Sequence, residues 1–185
     1  HEQILLGATG LIDASEVVTR QEWKRQIERL RLAEHYPGIM GVGFAAVIAP
    51  ENLAAFEADV QAEGFPGFRV HPEGERALYT SILFLEPFSG RNLAAFGFDM
   101  YSEPTRRQAM QAAASSGQTR VTGAVKLLQE THGEVQAGIL MYVPVYTSER
   151  SLATDSLRNS ALKGFVYSPY RMGDLLDGIL GEENV

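Results

Sequence analysis

The residue whose surroundings ask most for an explanation is Asp99, in Gly97-Phe98-Asp99-Met100. A carboxylate flanked by apolar residues is costly to bury unless donors meet it. Two roles are open to it. It can cap the helix that starts near Ser102, where free backbone N–H groups and the helix dipole favour a negative charge, or it can accept hydrogen bonds from a ligand. Gly41-Val42-Gly43 followed by Ala46 matches the start of a dinucleotide-binding fingerprint, whose glycines let a backbone turn approach a pyrophosphate at a helix start. Here the glycines fall inside a strand pattern that follows a helix, so they read as packing glycines. His1, His35, His71 and His132 are far apart and lack the spacing of a metal site, so no metal and no cofactor is expected. There is no GxSxG elbow, and no nucleophile and base are visibly paired, which makes a soluble enzyme the weakest reading. Arg106-Arg107 reads as the solvated face of a helix.

Composition narrows the partners. Sixteen Lys plus Arg against 23 Asp plus Glu give the 185 residues a net charge of -7, and binding a phosphate backbone needs a basic face, so nucleic acid is excluded as a partner. There are no cysteines, hence no disulfides or thiolate ligands, which suits an oxidising compartment. Hydrophobic residues at 45% and charged residues at 21% are ordinary for a globular chain. Residues 38–49 form the longest run of apolar or small side chains, well short of the ~20 residues of a membrane-spanning helix. The chain opens at His1 with no signal-peptide pattern, which reads as a piece of a longer, membrane-anchored protein.

The elements that must position Asp99 follow from periodicity. Apolar residues at helical spacing over 4–32 predict a long amphipathic N-terminal helix, broken near 14–19, where Thr19 and Glu22 form a capping box. Tyr36-Pro37-Gly38 ends it. Residues 39–48 alternate as a buried strand, Pro50 opens a helix that Gly64 closes, and 68–70 and 78–85 read as strands. Residues 92–96 form a helical turn, and 102–117 a helix. A hairpin of 120–128 and 136–146 turns around His132-Gly133, a polar loop follows, and strand 162–170 precedes a final helix over 173–180. Hairpin-joined strands with packed helices give an α+β chain with antiparallel sheets.

The order of these segments resembles the CHASE domain, the extracytoplasmic sensor module of bacterial diguanylate cyclases and histidine kinases and of plant cytokinin receptors. The carriers run from Tyr36-Pro37-Gly38-Ile39 and Gly43-Phe44 through Phe56-Glu57, Glu63-Gly64, Glu86-Pro87 and Asn92. They continue through Phe98-Asp99, Ser102-Glu103-Pro104-Thr105-Arg106-Arg107, Gly117 and Leu127-Leu128-Gln129-Glu130, and end with Tyr142-Val143-Pro144-Val145-Tyr146, Gly164-Phe165-Val166 and 171–175. The resemblance implies a long N-terminal stalk helix and two PAS-like subdomains, with membrane helices of the parent protein on both flanks. Its boundaries are a stalk over 1–36, a membrane-distal sensor part over 37–146 and a membrane-proximal part over 147–185.

In the cytokinin-binding relatives, the resemblance implies an aspartate at the position of Asp99 that binds a planar ligand's nitrogens. A backbone and apolar contact comes at the position of Leu128, and a small hydroxyl residue at that of Tyr142. Tyrosine there reshapes the cavity. Apolar side chains such as Phe84, Leu128 and Ile139 around one carboxylate match the usual build of a small-molecule site, with Tyr79 as a further wall. The function expected is a periplasmic, non-enzymatic ligand sensor of a receptor kinase or diguanylate cyclase. Its ligand would be cytokinin-like or otherwise amine-bearing, and the receptor would dimerise through the N-terminal helices. The rival is a dimerisation or protein-docking module of the same fold, with Tyr142 closing the pocket and Asp99 only a cap.

Overall fold

The computed structural model describes residues 1–15, 17–36, 38–128, 137–147 and 151–174. The predicted N-terminal helix is three: α1 (Glu2–Asp13), α2 (Arg20–Glu28) and the short α3 (Leu32–His35). The break has the predicted cause, since the Thr19 side chain accepts from the Glu22 N–H while the Glu22 carboxylate accepts from the Thr19 N–H. β1 (Val42–Ile48) follows, then a 3-10 turn, Pro50–Asn52, and α4 (Leu53–Ala62). Residues 68–70 do not form the expected strand. Phe68 and Val70 are buried against Ile48, Val60 and Tyr79, which gives an inward alternation without a neighbouring strand to pair with.

β2 (Tyr79–Glu86), α5 (Pro104–Ser116), the two-residue strands β3 (Arg120–Val121) and β4 (Val125–Lys126), β5 (Ala137–Tyr146), α6 (Asp155–Ala161) and β6 (Leu162–Arg171) complete the chain. The predicted strand over 120–128 is thus two short pieces, each paired with β5, and α6 occupies the predicted polar loop. The turn around His132-Gly133 and the final helix beyond 174 lie outside the described residues.

All these strands join one antiparallel sheet, in the order β2-β1-β6-β5-β3 with β4 also on β5. The α+β class with an N-terminal helix and antiparallel strands is therefore as expected. The boundary at 147 does not separate two sheets among the described residues, because β6 lies between β1 and β5 and pairs with both. Its small residues make this possible. A Cβ on Gly164 would meet the Phe44 ring at 2.4 Å, and one on Gly43 would meet the Tyr167 ring at 2.5 Å, so Gly43 is a packing glycine as predicted.

Alternation along the strands divides the core between two faces. On one face Val42, Phe44, Phe84, Val143, Val145 and Val166 receive Ile4, Leu5, Ala8 and Ile12 of α1 and Trp23 and Ile27 of α2. The N-terminal helices thus pack their apolar sides on the chain's own sheet. Re-exposing Ile4, Leu5 or Ile12 would cost about 1.5–3 kcal/mol each. On the other face Ala45, Ile82, Leu85, Leu140, Tyr142, Phe165 and Tyr167 pack under Ala109, Met110, Ala113 and Ala114 of α5. No helix among the described residues is long and apolar enough to cross a membrane.

Candidate functional site

Residues 97–99 are pinned beside β2 as a short extended piece. The Gly97 N–H donates to the Ile82 carbonyl at 3.0 Å, the Ile82 N–H to the Phe98 carbonyl at 3.0 Å, and the Asp99 N–H to the His71 carbonyl at 2.7 Å. Gly97 has φ +83°, and a Cβ there would meet the Arg69 carbonyl oxygen at 2.5 Å, so this tight passage demands glycine. It delivers Asp99, fully buried, to the side of Thr80. Oδ1 accepts from the Thr80 N–H at 2.8 Å, the Thr80 hydroxyl at 3.1 Å and the Tyr101 N–H at 3.1 Å. The last contact caps the 3-10 turn Met100–Ser102. The helix proper is capped elsewhere: Glu103 accepts from the Thr105 and Arg106 N–H groups.

The second oxygen of Asp99 is different. Oδ2 is buried and takes no hydrogen bond. It has an ion pair to the Arg76 Nε at 3.1 Å, off the hydrogen-bond line. Arg76 sits in the irregular segment before β2, with its Nη1 on the Gly74 carbonyl at 3.0 Å and its guanidinium 5.6 Å from the Tyr79 ring centre. The Tyr79 hydroxyl donates to that carbonyl at 2.9 Å and accepts from the Arg76 N–H at 3.3 Å.

Arg76 and Tyr101 also line an open cleft of about 580 Å³, together with Leu78, Arg107 and Gln111 of α5, and Asn159 of α6. Arg107 and Gln111 are four residues apart and share a helix face, whereas Arg106, about 100° round the helix, points inward. Arg106 is 3% exposed, its Nη2 donates to the Lys126 carbonyl at 2.9 Å and its guanidinium lies 5.1 Å from the Phe98 ring centre. Only Arg107 fits the predicted outward face; the inward turn of Arg106 corrects that reading. Burial, reinforced by the Asp99 charge and opposed by Arg107, pushes the Tyr101 phenol up to about 12, so it remains a neutral hydrogen-bonding group at ordinary pH. Two further clefts, of about 430 and 380 Å³, lie beside α2 and share Glu28, Glu86 and Pro87. Neither is lined by a fully buried carboxylate or by residues that touch one.

The predicted site residues separate into two groups. Tyr142 is fully buried in the core between the sheet and α5, and its hydroxyl points at the Met100 sulfur at 3.2 Å. Burial raises its phenol far above the ordinary range. Leu128 is half-buried and packs on the same core. Asp99 and Tyr142 therefore meet at Met100 and Tyr101, and Leu128 packs on the same core. Phe84, Tyr79 and Ile139 do not join them. Phe84 faces the N-terminal helices, its ring 5.6 Å from that of Trp23. Tyr79 belongs to the core under α4 and ties down the turn that carries Arg76. Ile139 alternates to the face opposite Leu140 and Tyr142. The wall expected from apolar content alone is corrected by strand alternation. The cleft residues Arg76, Tyr101, Arg107, Gln111 and Asn159 were missed. The i, i+4 pair of Arg107 and Gln111 was the available signal.

The fold is thus a helix-covered antiparallel sheet with a buried carboxylate, Asp99, behind a cleft. The chain matches the CHASE domain family over residues 16–185 and belongs to it; it is an extracytoplasmic sensor module. Among solved structures it is similar to the ligand-binding domain of the Pseudomonas aeruginosa PAO1 amino-acid chemoreceptor PctC, solved in complex with GABA. The TM-score is 0.53 at 11% identity, covering 99% of this chain and 60% of that one. At that identity the likeness is one of fold. No curated protein matches the chain.

Proposed function

We propose that this chain is the small-molecule-sensing part of a membrane-anchored receptor, with the ligand received in the cleft over Asp99 and a kinase or diguanylate cyclase as the cytoplasmic output. The observation that carries this reading is the second oxygen of Asp99. A fully buried carboxylate oxygen outside any hydrogen bond is expensive, and this one lies directly behind Arg76, while the other oxygen of the same carboxylate meets Tyr101, both residues of the cleft wall. A ligand amine is the group it suits. The signal would travel through the sheet: Leu162 at the cleft opens β6, and Val166 of the same strand packs on α1 and α2 across the sheet. A periplasmic location and a receptor homodimer belong to the same proposal.

A second reading, a docking or dimerisation module without a ligand, is favoured by one observation. Met100, Tyr142 and Tyr167 fill the space between the sheet and α5, and Asp99 serves as a cap. Native mass spectrometry of the purified chain beside Asp99→Asn, with melting-temperature shifts against amine-bearing compounds, separates the two. A retained or added ligand that raises the wild-type melting temperature and is lost in the variant supports the sensor. No such compound in either protein turns the choice to the docking module.

A further inference from the structure

Arg76 is placed where a ligand cation would go. The three donors on Oδ1 belong to Thr80 and Tyr101, fixed parts of the fold, while Oδ2 depends on one guanidinium brought in from a turn. That turn is exposed at Pro72, Glu73, Gly74 and Glu75. The Tyr79 hydroxyl holds it by hydrogen bonds with the Gly74 carbonyl and the Arg76 N–H. The Arg76 side chain can therefore leave Asp99 at the loss of one misaligned ion pair, one hydrogen bond to Gly74 and its contact with the Tyr79 ring, with the turn still anchored. Its departure joins Asp99 to the cleft.

Charge then decides what can enter. The cleft wall carries two guanidinium groups, Arg76 and Arg107, and no carboxylate. A simple cation would take Asp99 but leave the released Arg76 unpaired beside Arg107. A simple anion would gain nothing from Asp99. We propose that the ligand is a small zwitterion admitted by exchange: its cationic group replaces Arg76 at Asp99, and its anionic group is received by Arg76 and Arg107. Planar guanidinium groups suit a carboxylate through paired N–H donors. Neutral Tyr101 and the amides of Gln111 and Asn159 share the cleft wall, and about 580 Å³ is ample for a molecule of this size. The inference rests on the cleft being the ligand site.

The test removes the built-in competitor. Melting temperatures and calorimetric titrations are measured on the purified chain and on Arg76→Ala, Arg76→Lys and Asp99→Asn. The probes are ethylguanidinium, propionate and ω-amino acids from β-alanine to 6-aminohexanoate. Ethylguanidinium should bind Arg76→Ala about tenfold or more tightly than wild type, because no tethered group competes, and it should leave Asp99→Asn unmoved. Wild type should respond to an ω-amino acid and to neither single-charge probe. If Arg76→Ala does not fold, Arg76→Lys, which keeps the charge but not the planar fork, should show the same gain in smaller degree. A folded Arg76→Ala with no gain for ethylguanidinium overturns the exchange. If a screened compound still binds wild type and is lost in Asp99→Asn, the sensor reading survives that failure. Silence of every variant toward every probe and screened compound overturns both.

Discussion

Asp99 carries two loads, and substitutions separate them. Asparagine keeps an acceptor for the Thr80 and Tyr101 donors but forfeits the ion pair with Arg76, so Asp99→Asn should lose about 1–3 kcal/mol of stability. Alanine leaves those buried donors and the guanidinium unmet together, so Asp99→Ala should lose more, about 3–5 kcal/mol. Urea denaturation measures both, and equal losses would show that the Thr80 and Tyr101 donors are not held by this carboxylate. Gly43 gives a purely steric counterpart. Gly43→Ala would place a Cβ 2.5 Å from the Tyr167 ring and 2.6 Å from the Phe84 carbonyl oxygen, for an expected loss of about 1–3 kcal/mol. The costly contacts are with a neighbouring strand's backbone and a buried ring, neither of which can swing away. An unchanged urea midpoint in this variant would mean that β1 and β6 separate more easily than their register suggests.

At the scale of elements, α5 presents both the core alanines and the cleft residues, so its first turn sets the site. Glu103 caps that turn. Partial burial works against its ionised form, but the Thr105 and Arg106 N–H groups, with the Thr105 side chain and the Arg106 charge, together outweigh it and hold the carboxyl below its ordinary value of 4.5. A carboxyl depressed in the folded state stabilises fully above its unfolded value and loses that effect as pH falls through the folded one. Glu103→Ala should therefore cost about 1 kcal/mol at neutral pH, with the gap to wild type closing below pH 4.5. A gap that stays constant under acid denaturation would show that packing, not charge, supports the turn. This cap was legible as Ser102 with Pro104 two residues on, but shifted by one residue, as was the Thr19–Glu22 box without any shift. The helix over Asp155–Ala161 was not, because one apolar residue of seven is buried and helical periodicity has nothing to register. Arg76 was beyond reach for a related reason: an irregular turn has no period, and its pairing with Asp99 spans 23 positions of sequence.

At the scale of the whole molecule, the pairing of distant strands escapes local patterns. Each of β1, β5 and β6 was legible as a strand, yet the place of β6 between β1 and β5 is decided by long-range packing of Gly43 and Gly164 against Tyr167 and Phe44. The same sheet places α1 and α2 on one face and the cleft on the other. It also restricts how a receptor dimer can use α1. Ile4, Leu5, Ala8 and Ile12 are committed to the chain's own core, whereas Gln3, Leu6, Gly10 and Asp13, spaced at i, i+3, i+7 and i+10, form the exposed stripe. The chain has no cysteine, which leaves introduced thiols unambiguous. In the parent receptor, cysteines at Gln3, Leu6 or Gly10 should crosslink copies under mild oxidation, and cysteines at Leu5 or Ala8 should not. Crosslinking at Leu5 or Ala8 instead would mean that α1 leaves the sheet in the receptor. Melting data on Leu5→Ala would then decide the matter, since a helix seated on the core loses about 2–5 kcal/mol there and a free stalk loses almost nothing.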